Sequence, residues 1–369
     1  MKIPERFHAF PPYTPIEPFE VLSFRLGRAP NEIVKLDANE NPYGPSPLAL
    51  QALARLSFAH IYPDPESRAL RAALAGFTGI PMENLLAGSG ADELIDLILR
   101  ALLEPGDRVV ICPPTFGMYA FDARLNAGQV IEVNRRADFS LDVDAICAAV
   151  RREQPRVLFL AVPNNPDGSL PLPEEIEALL GLPDVLVVLD EAYIEFSAAG
   201  GRLGERLTRI GQVSQRDNLI VLRTFSKWAG LAGLRVGYGA FPAWLTPVLW
   251  KIKQPYNVSV AASAAAIASL DDLDVLAGRV ELLKQERSRL FQKLSAIPYL
   301  QPVPSQANFI LNRVAGVAAP DLKNDLAGQG ILVRYYHTPL LADAVRVSVG
   351  RPLDTDALIA ALEAVEVNP

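Results

Sequence analysis

The sequence predicts an α/β protein with two domains. The large domain holds a mostly parallel seven-stranded sheet between helices, and the smaller domain is α+β. From about residue 48 to residue 245, short apolar runs alternate with amphipathic stretches, as in a parallel sheet that is covered on both faces. A chain of 369 residues also exceeds one compact unit, at roughly 150 residues per domain.

Seven apolar runs are the predicted strands of the large sheet. The helix ADELIDLILRALL, between the first two runs, has Leu94 and Ile98 on one face and acidic residues in its first turn. Another helix is expected near Glu66, with Asp64 as N-cap and Pro65 as its first residue. The predicted strands are 84–87, 108–112, 129–133, 156–162, 185–189, 218–222 and 236–240.

The chain is expected to divide at two points. Residues 1–45 are rich in proline and lack helical periodicity, so they are interpreted as an arm that contributes to the small domain. Residues 46–255 form the predicted large domain, and residues 256–369 form the small one. In the small domain the charged helix RVELLKQERSRLFQKL precedes predicted strands at 308–311, 331–334 and 344–349.

Composition excludes several classes of protein. Lys plus Arg total 35 against 42 Asp plus Glu, a net charge of −7, and nucleic-acid and membrane surfaces attract basic proteins. Two cysteines and three scattered histidines give no zinc spacing. The start, MKIPERFHAF, has charges and a proline where a signal peptide needs an apolar run. We therefore expect a cytoplasmic protein without a metal, nucleic-acid or membrane partner.

Ligands of open parallel sheets bind beyond the carboxyl ends of the strands, so the residues that follow each run are informative. After 84–87 comes GSGADE, in which Gly90 leads into a helix. The backbone amides of Ala91 and Asp92, with the helix dipole, would bind a phosphate. A tight turn that only needs a positive φ is the alternative.

Acidic and amide side chains follow the next two runs. PNNPDG, with Asn165, follows 156–162, and DEAYIEF follows 185–189. Asp190 ends the apolar run VLVVL, where a charged carboxylate requires a cation or a strong donor. The alternative is that Asp190 caps a turn. Tyr193 is either a core aromatic residue or a hydroxyl directed at the same ligand.

The lysine in RTFSKWAGLAGLRVGYG decides between these alternatives. Lys227 lies among small and apolar residues, where a lysine has a lowered pKa and becomes a nucleophile toward carbonyls. Thr224, Ser226 and Arg235 suit a phosphate dianion. Together with the groups at the other strand ends, they indicate a ligand with an aldehyde, a phosphate and a basic ring nitrogen. Pyridoxal phosphate has these features.

The motifs also resemble those of the fold-type I aminotransferases, which share the aspartate aminotransferase-like fold, and within them the histidinol-phosphate aminotransferases. The matching strings are LDANENPYGPSP, YPDPESRALRAALA, GSGADELI, CPPTFGMY, PNNPDG, DEAYIEF, RTFSKWAGLAGLRVGYG, NFIL, ILVRYY and VRVSVG. The resemblance implies a pyridoxal-phosphate enzyme that converts histidinol phosphate, with 2-oxoglutarate as amino acceptor.

The resemblance also implies roles for individual residues. Lys227 would bind the cofactor covalently and move the substrate proton, while Asp190 would pair with the ring nitrogen. Asn165 and Tyr193 would bond the phenolate oxygen. Tyr62, in IYPDP, would reach the phosphate of the neighbouring subunit, which implies a homodimer with shared sites. The remaining residues expected at the phosphate are Gly90, Ala91, Asp92, Thr224, Ser226 and Arg235.

Three further positions concern ring stacking and the substrate. Phe116 stands where many relatives have tyrosine, and stacking needs only the π-face. Arg346 alternates with valines in VRVSVG, so it lies on the polar face of a strand and can clasp an anion. Arg334 in ILVRYY is expected at the substrate phosphate by resemblance. For the family's N-terminal tyrosine, the chain offers only Phe19 and, further away, Tyr13.

Other functions are compatible with parts of this pattern. An aromatic aminotransferase and a threonine-phosphate decarboxylase would use the same machinery. A ligand-binding protein could keep the fold without catalysis. A nucleotide-binding dehydrogenase is disfavoured because the glycine fingerprint GxGxxG is absent from the sequence.

Overall fold

A computed structural model of the protein describes residues 3, 7, 8, 10 and 18–365, and it contains two β-sheets packed among helices. The strands are β1 (Val34–Leu36), β2 (Leu85–Gly88), β3 (Arg108–Ile111), β4 (Gln129–Glu132), β5 (Val157–Ala161), β6 (Leu186–Asp190), β7 (Leu219–Thr224), β8 (Gly237–Ala240), β9 (Leu300–Pro302), β10 (Phe309–Val314), β11 (Ile331–Tyr335) and β12 (Ala344–Ser348). The helices are α1 (Phe19–Leu26), α2 (Pro47–Ala54), α3 (Arg68–Thr78), α4 (Gly90–Leu102), α5 (Met118–Leu125), α6 (Val143–Glu153), α7 (Pro173–Leu180), α8 (Thr246–Ile252), α9 (Val260–Asp271), α10 (Leu273–Ser295), α11 (Ala319–Gly328) and α12 (Pro352–Glu363).

The large sheet has seven strands in the order β2-β8-β7-β6-β5-β3-β4. Strand β8 is antiparallel to both of its neighbours, and every other pair is parallel. Each of the seven predicted runs overlaps one of these strands, so the predicted mostly parallel sheet is confirmed. The parallel arrangement puts the ends of β5, β6 and β7 at one edge of the sheet, where ligands bind in such folds.

Alternation along the central strands explains why both faces of this sheet are apolar. Val187 and Leu189 of β6 pack into one core cluster, whereas Leu186 and Val188 pack into the cluster on the opposite face. Successive side chains of a strand point to opposite faces, so a strand covered by helices on both sides must be apolar at every position. The first polar residue of β6 is Asp190, at its end.

The small sheet has five strands in the order β1-β11-β12-β10-β9. Its predicted strands correspond to β10, β11 and β12, while β1 and β9 were not predicted. Both additions are only three residues long, too short for a recognisable period. Strand β1 comes from the N-terminal arm and pairs in parallel with β11, so this segment joins a sheet formed by the other end of the chain.

Helix α3 begins later than predicted. Its first residue is Arg68, and Ser67 before it has φ 47°, so the prediction that Pro65 opens the helix is wrong. The Asp64 carboxylate nevertheless accepts hydrogen bonds from the backbone N–H of Glu66 at 3.1 Å and of Arg68 at 2.8 Å. Asp64 therefore stabilises a turn that precedes the helix, because the left-handed Ser67 interrupts helical geometry.

Two kinds of feature are absent from the described residues. Across residues 18–365 and the few described before them, no helix combines the length and apolar character that crossing a membrane requires. In the same residues, no group of three or more His, Cys, Asp or Glu side chains is arranged to hold a metal ion.

Candidate active site

A cavity lies at the carboxyl edge of the large sheet, and most of the predicted site residues line it. It is bounded by Ala91, Asp92, Phe116, Tyr119, Ala161, Asn165, Asp190, Ala192, Tyr193, Thr224, Ser226, Lys227 and Arg235. An adjoining cavity shares Phe116, Asn165, Tyr193 and Lys227 with it and extends to Arg334 and Arg346 of the small sheet. The two sheets thus form the two sides of one cleft.

Lys227 follows β7 and faces both cavities. Its Nζ donates a hydrogen bond to the backbone carbonyl of Ala38, in the N-terminal arm, at 3.3 Å. Burial, with the nearby positive charge of Arg346, lowers the pKa of Lys227 to about 8. About a tenth of the amine is therefore unprotonated at pH 7, far more than for an ordinary lysine, and a nucleophile or a general base requires this neutral form.

Asp190 is only 5% exposed, and both of its carboxylate oxygens accept hydrogen bonds. Oδ2 accepts from the Tyr119 hydroxyl at 2.7 Å, and Oδ1 accepts from the Ala192 N–H at 3.1 Å. Burial raises the pKa of Asp190 to about 6, although these hydrogen bonds and the charge of Lys227 act in the opposite direction. A cationic partner in the cavity would therefore stabilise the carboxylate strongly.

The predicted phosphate seat is formed where α4 begins. Gly90 has φ 79°, which strains any residue with a side chain, and a Cβ at this position would lie 2.5 Å from Nη2 of Arg235 and displace the guanidinium. The Arg235 guanidinium also contacts the Asp92 carboxylate at 2.8 Å. Thr224 and Ser226 line the same cavity as Arg235 and are buried, and their hydroxyl oxygens are 2.9 Å apart. The helix terminus, one guanidinium and two hydroxyls suit a phosphate dianion.

The substrate side is formed by two arginines on neighbouring strands. Arg334 of β11 and Arg346 of β12 are directly opposite each other in an antiparallel pair. Arg346 donates to Asn165 Oδ1 at 2.6 Å and to the Asp37 carbonyl at 2.8 Å, while its Nε, although buried, has no partner in the described structure. The Arg334 guanidinium lies 5.5 Å from the centre of the Tyr336 ring. Two guanidiniums therefore face one cavity.

Sequence reasoning missed two polar side chains of the site. Asn39 is buried with φ 54°, donates from Nδ2 to the Tyr193 hydroxyl at 3.1 Å, and contacts Ser348 through its backbone N–H at 2.8 Å. Tyr119 is the donor to Asp190. Both lie inside quoted motifs, LDANENPYGPSP and CPPTFGMY, but no local pattern indicates which distant residue they contact.

The two aromatic positions assigned by resemblance differ in placement. Phe116 lines both cavities, and its ring meets that of Tyr119 edge-on at 5.5 Å. Tyr62 lines neither of these cavities; it is 80% exposed and stacks on Tyr256, with ring centres 4.7 Å apart. The structure of a single chain therefore does not bring Tyr62 to the phosphate seat.

The two N-terminal aromatic candidates for the substrate contact are placed as follows. Tyr13 lies outside the described residues, and Phe19 is the first residue of α1.

The donor set of the cavity fits pyridoxal phosphate. A buried acid suits the protonated ring nitrogen, an amine of lowered pKa suits the aldehyde, and the α4 terminus with Arg235 suits the phosphate. Phe116 offers a ring face, and the unpartnered Nε of buried Arg346 leaves a donor for an anionic substrate. Each chemical feature of the cofactor thus meets a complementary group.

Known proteins are similar to this chain in both sequence and fold. Residues 31–364 match the family of aminotransferases of class I and II. The chloroplastic histidinol-phosphate aminotransferase of Nicotiana tabacum is 56% identical over 353 residues, which cover 95% of this chain and 84% of that protein. The crystal structure of histidinol-phosphate aminotransferase from Sinorhizobium meliloti in complex with pyridoxal-5'-phosphate has a TM-score of 0.88 and 30% identity, and covers 98% of this chain and 96% of that one.

The fold class is likewise shared with a more distant enzyme. A single mutant of Thermus thermophilus aspartate aminotransferase has a TM-score of 0.78 at 21% identity, with 98% of each chain covered. The predicted aspartate aminotransferase-like fold is therefore confirmed.

Proposed function

The chain belongs to the aminotransferases of class I and II, and we propose that it interconverts histidinol phosphate and imidazole acetol phosphate, with 2-oxoglutarate and glutamate as the amino-group pair. It is a transaminase that uses pyridoxal phosphate. The observation that carries the choice of substrate is the pair Arg334 and Arg346, which line the cavity that adjoins the proposed cofactor residues. The identity with the tobacco enzyme supports the same choice over aromatic amino acids and threonine phosphate.

The chemistry is divided between the cofactor and the protein. Pyridoxal phosphate, when bound, accepts the electron pair that the substrate α-carbon releases on losing its proton. Nζ of Lys227 takes up that proton and later returns it, which its pKa of about 8 permits near neutral pH. Asp190 would lie at the ring nitrogen and keep it protonated, because a buried carboxylate favours a cation beside it.

Other groups orient the cofactor. Asn165 and Tyr193 are the proposed donors to its phenolate oxygen, and both line the cavity next to Lys227. The Asn165 carbonyl oxygen accepts from Arg346, so its amide NH₂ is directed elsewhere and is able to donate. Phe116 is the proposed stacking partner of the ring. These contacts exclude water from one side of the cavity and fix the ring plane.

The two arginines serve substrates of both half-reactions. Histidinol phosphate carries one dianionic phosphate and no α-carboxylate, whereas 2-oxoglutarate carries two carboxylates. Arg334 and Arg346 lie on adjacent strands, so together they can bind either set of oxygens through charge-assisted hydrogen bonds. Arg346 is 5% exposed and held by two hydrogen bonds, which makes it the more rigid of the two.

We further propose a homodimer in which Tyr62 completes the phosphate seat of the partner chain. Tyr62 is exposed and lies outside the cavities of its own chain that contain the site. Several apolar side chains of residues 48–62 are also exposed, as is Tyr256, on which Tyr62 stacks, and a second chain would cover such side chains. These exposed side chains are Leu48, Leu50, Phe58, Ile61 and Tyr256.

The division of the chain and its location are also proposals. Residues 46–255 would bind the cofactor, and residues 256–369 with the arm 1–45 would bind the substrate, since they carry Arg334 and Arg346. Cys112 and Cys147 are free, which suits a reducing compartment such as the cytoplasm. The tobacco relative is, by its name, chloroplastic.

Steady-state assays of the purified protein test the substrate. We expect kcat/KM for histidinol phosphate to exceed that for phenylalanine, and Arg334→Gln to lower the former by roughly 10- to 100-fold, the effect of losing a hydrogen bond to a charged group. Arg313→Gln is the matched control, because Arg313 lies in the same sheet but pairs with Asp343 outside the cleft.

Each alternative has its own signature in these assays. Faster turnover of phenylalanine would make the protein an aromatic aminotransferase. Release of carbon dioxide from threonine phosphate would make it a decarboxylase. Binding of substrate without any change in cofactor absorbance would indicate a ligand-binding protein that does not catalyse transamination.

A further inference from the structure

Tyr119 lines the cavity and has a buried hydroxyl, and the proposed function gives this side chain no role. Its side chain is fully buried, and its hydroxyl donates to Asp190 Oδ2 at 2.7 Å. Burial and the negative charge of Asp190 raise the pKa of Tyr119 well above its usual value. The hydroxyl therefore keeps its proton over the whole working pH range and acts as a permanent donor.

The position of this hydroxyl is fixed by aromatic contacts on two sides. The Tyr119 ring stacks on Phe159 of β5, with centres 4.9 Å apart and planes 10° apart. It meets Phe116 edge-on at 5.5 Å and 82°. Since Phe116 is the proposed stacking partner of the cofactor, one rigid ring touches both the residue on the cofactor face and the residue at the ring nitrogen.

The hydrogen bond matters because Asp190 lies in an unfavourable environment for a carboxylate. Burial favours its protonated form, and the charge of Asp92 acts in the same direction. Two donors oppose this effect, the Tyr119 hydroxyl and the Ala192 N–H, and each occupies a different oxygen. Of the two, only Tyr119 can be removed by substituting a side chain.

We propose that Tyr119 is a positioning residue. Its hydroxyl holds the Asp190 carboxylate in place for the cofactor ring nitrogen, and its ring packs against the stacking residue Phe116. This role rests on one part of the proposed function, which is that the cofactor occupies the cavity. It does not depend on which amino donor the protein prefers.

The test is Tyr119→Phe, which keeps both ring contacts and removes only the hydroxyl. Without this donor the pKa of Asp190 rises, so the acidic limb of the kcat/KM profile should move to higher pH by roughly one to two units. The deficit in kcat should be largest at low pH and shrink as the pH rises, because Asp190 ionises again. The pH midpoint of the visible absorbance of the bound cofactor should shift in the same direction.

A matched control separates this role from a structural one. Tyr299 is buried in the other half of the molecule, and its hydroxyl donates to the Leu362 carbonyl at 2.7 Å. Tyr299→Phe therefore loses a comparable hydrogen bond, yet it should leave the acidic limb and the absorbance midpoint unchanged. Equal shifts in both variants, or no shift in Tyr119→Phe, would overturn the proposal.

A readout in the protein without cofactor is independent of the reaction. In protein labelled with ¹³C at aspartate carboxyls, the Asp190 resonance, identified by its loss in Asp190→Asn, should titrate with a pKa near 6. Tyr119→Phe should raise that pKa, and an unchanged value would contradict the proposal. If histidinol phosphate proves not to be a substrate, this titration still decides the role of Tyr119.

Discussion

The ring end and the phosphate end of the proposed cofactor cavity differ in how completely a single chain forms them. At the ring end, Asp190 is 5% exposed and both of its oxygens accept hydrogen bonds from the same chain. At the phosphate end, the side chains of Asp92 and Arg235 are each nearly half exposed. The assigned aromatic residue, Tyr62, is 80% exposed and lines neither part of the cleft.

This difference follows from where each end lies in the fold. The ring end is at the centre of the large sheet, where helices cover both faces and each strand end is enclosed. The phosphate end is at the start of α4, near the surface. The ring end, where the chemistry requires that water be excluded, is thus formed within one chain. The phosphate end, in contrast, can be completed by a second chain.

The largest expected effect concerns the ring end. Lys227→Ala removes the amine that is proposed to bind the cofactor and move the proton, so kcat should fall by at least roughly 10²- to 10⁴-fold. The protein should still fold and hold the cofactor noncovalently, which dialysis and absorbance spectra measure. Lys251→Ala, at an exposed lysine of α8, is the control. Turnover at the rate of the unsubstituted protein would remove Lys227 from the mechanism.

An intermediate effect is expected at the phosphate end. Tyr62→Phe keeps the ring but removes the hydroxyl proposed to bond the phosphate of the partner chain's cofactor, so the Kd for the cofactor should rise roughly 10- to 100-fold. Equilibrium dialysis against pyridoxal phosphate measures this loss of affinity, and sedimentation measures whether the protein is a dimer.

Mixed dimers test whether Tyr62 of one chain serves the phosphate end of the other chain. If the sites are shared as proposed, then in a dimer of one Lys227→Ala chain and one Tyr62→Phe chain the site with an intact Lys227 would receive an intact Tyr62 from its partner. Its cofactor affinity should therefore return to that of the unsubstituted protein. A partner chain that carries both substitutions is the control and should restore nothing. Equal affinities in both mixtures would mean that the sites are not shared.

The smallest expected effect is a pH dependence at the ring end. Burial lowers the pKa of Lys227 from 10.5 to about 8, and only the neutral amine attacks an aldehyde. The rate of covalent cofactor loading should therefore rise about tenfold per pH unit below pH 8 and level off above it. Stopped-flow absorbance measures this rate. A midpoint near 10.5 would show that the amine is not desolvated in solution.

The sequence indicated that three residues of the ring end lie together, because strand ends can be recognised locally. Asp190, Asn165 and Lys227 each follow an apolar run, and the parallel pattern brings those ends together. It did not predict Tyr119 or Asn39. The hydrogen bond of Tyr119 joins residues 71 apart, and that of Asn39 joins residues 154 apart.

The amino-acid sequence by itself determined the fold class, the seven strands of the large sheet and the residue types at their ends, because the periodicity of apolar residues is a local signal. Only the tertiary structure decided that Tyr119 donates a hydrogen bond to Asp190 and that Asn39 donates one to Tyr193. It also decided that Arg346, on the substrate side of the cleft, donates to Asn165 on the cofactor side. Hydrogen bonds and pKa values depend on distances between segments far apart in the chain, and packing alone sets those distances.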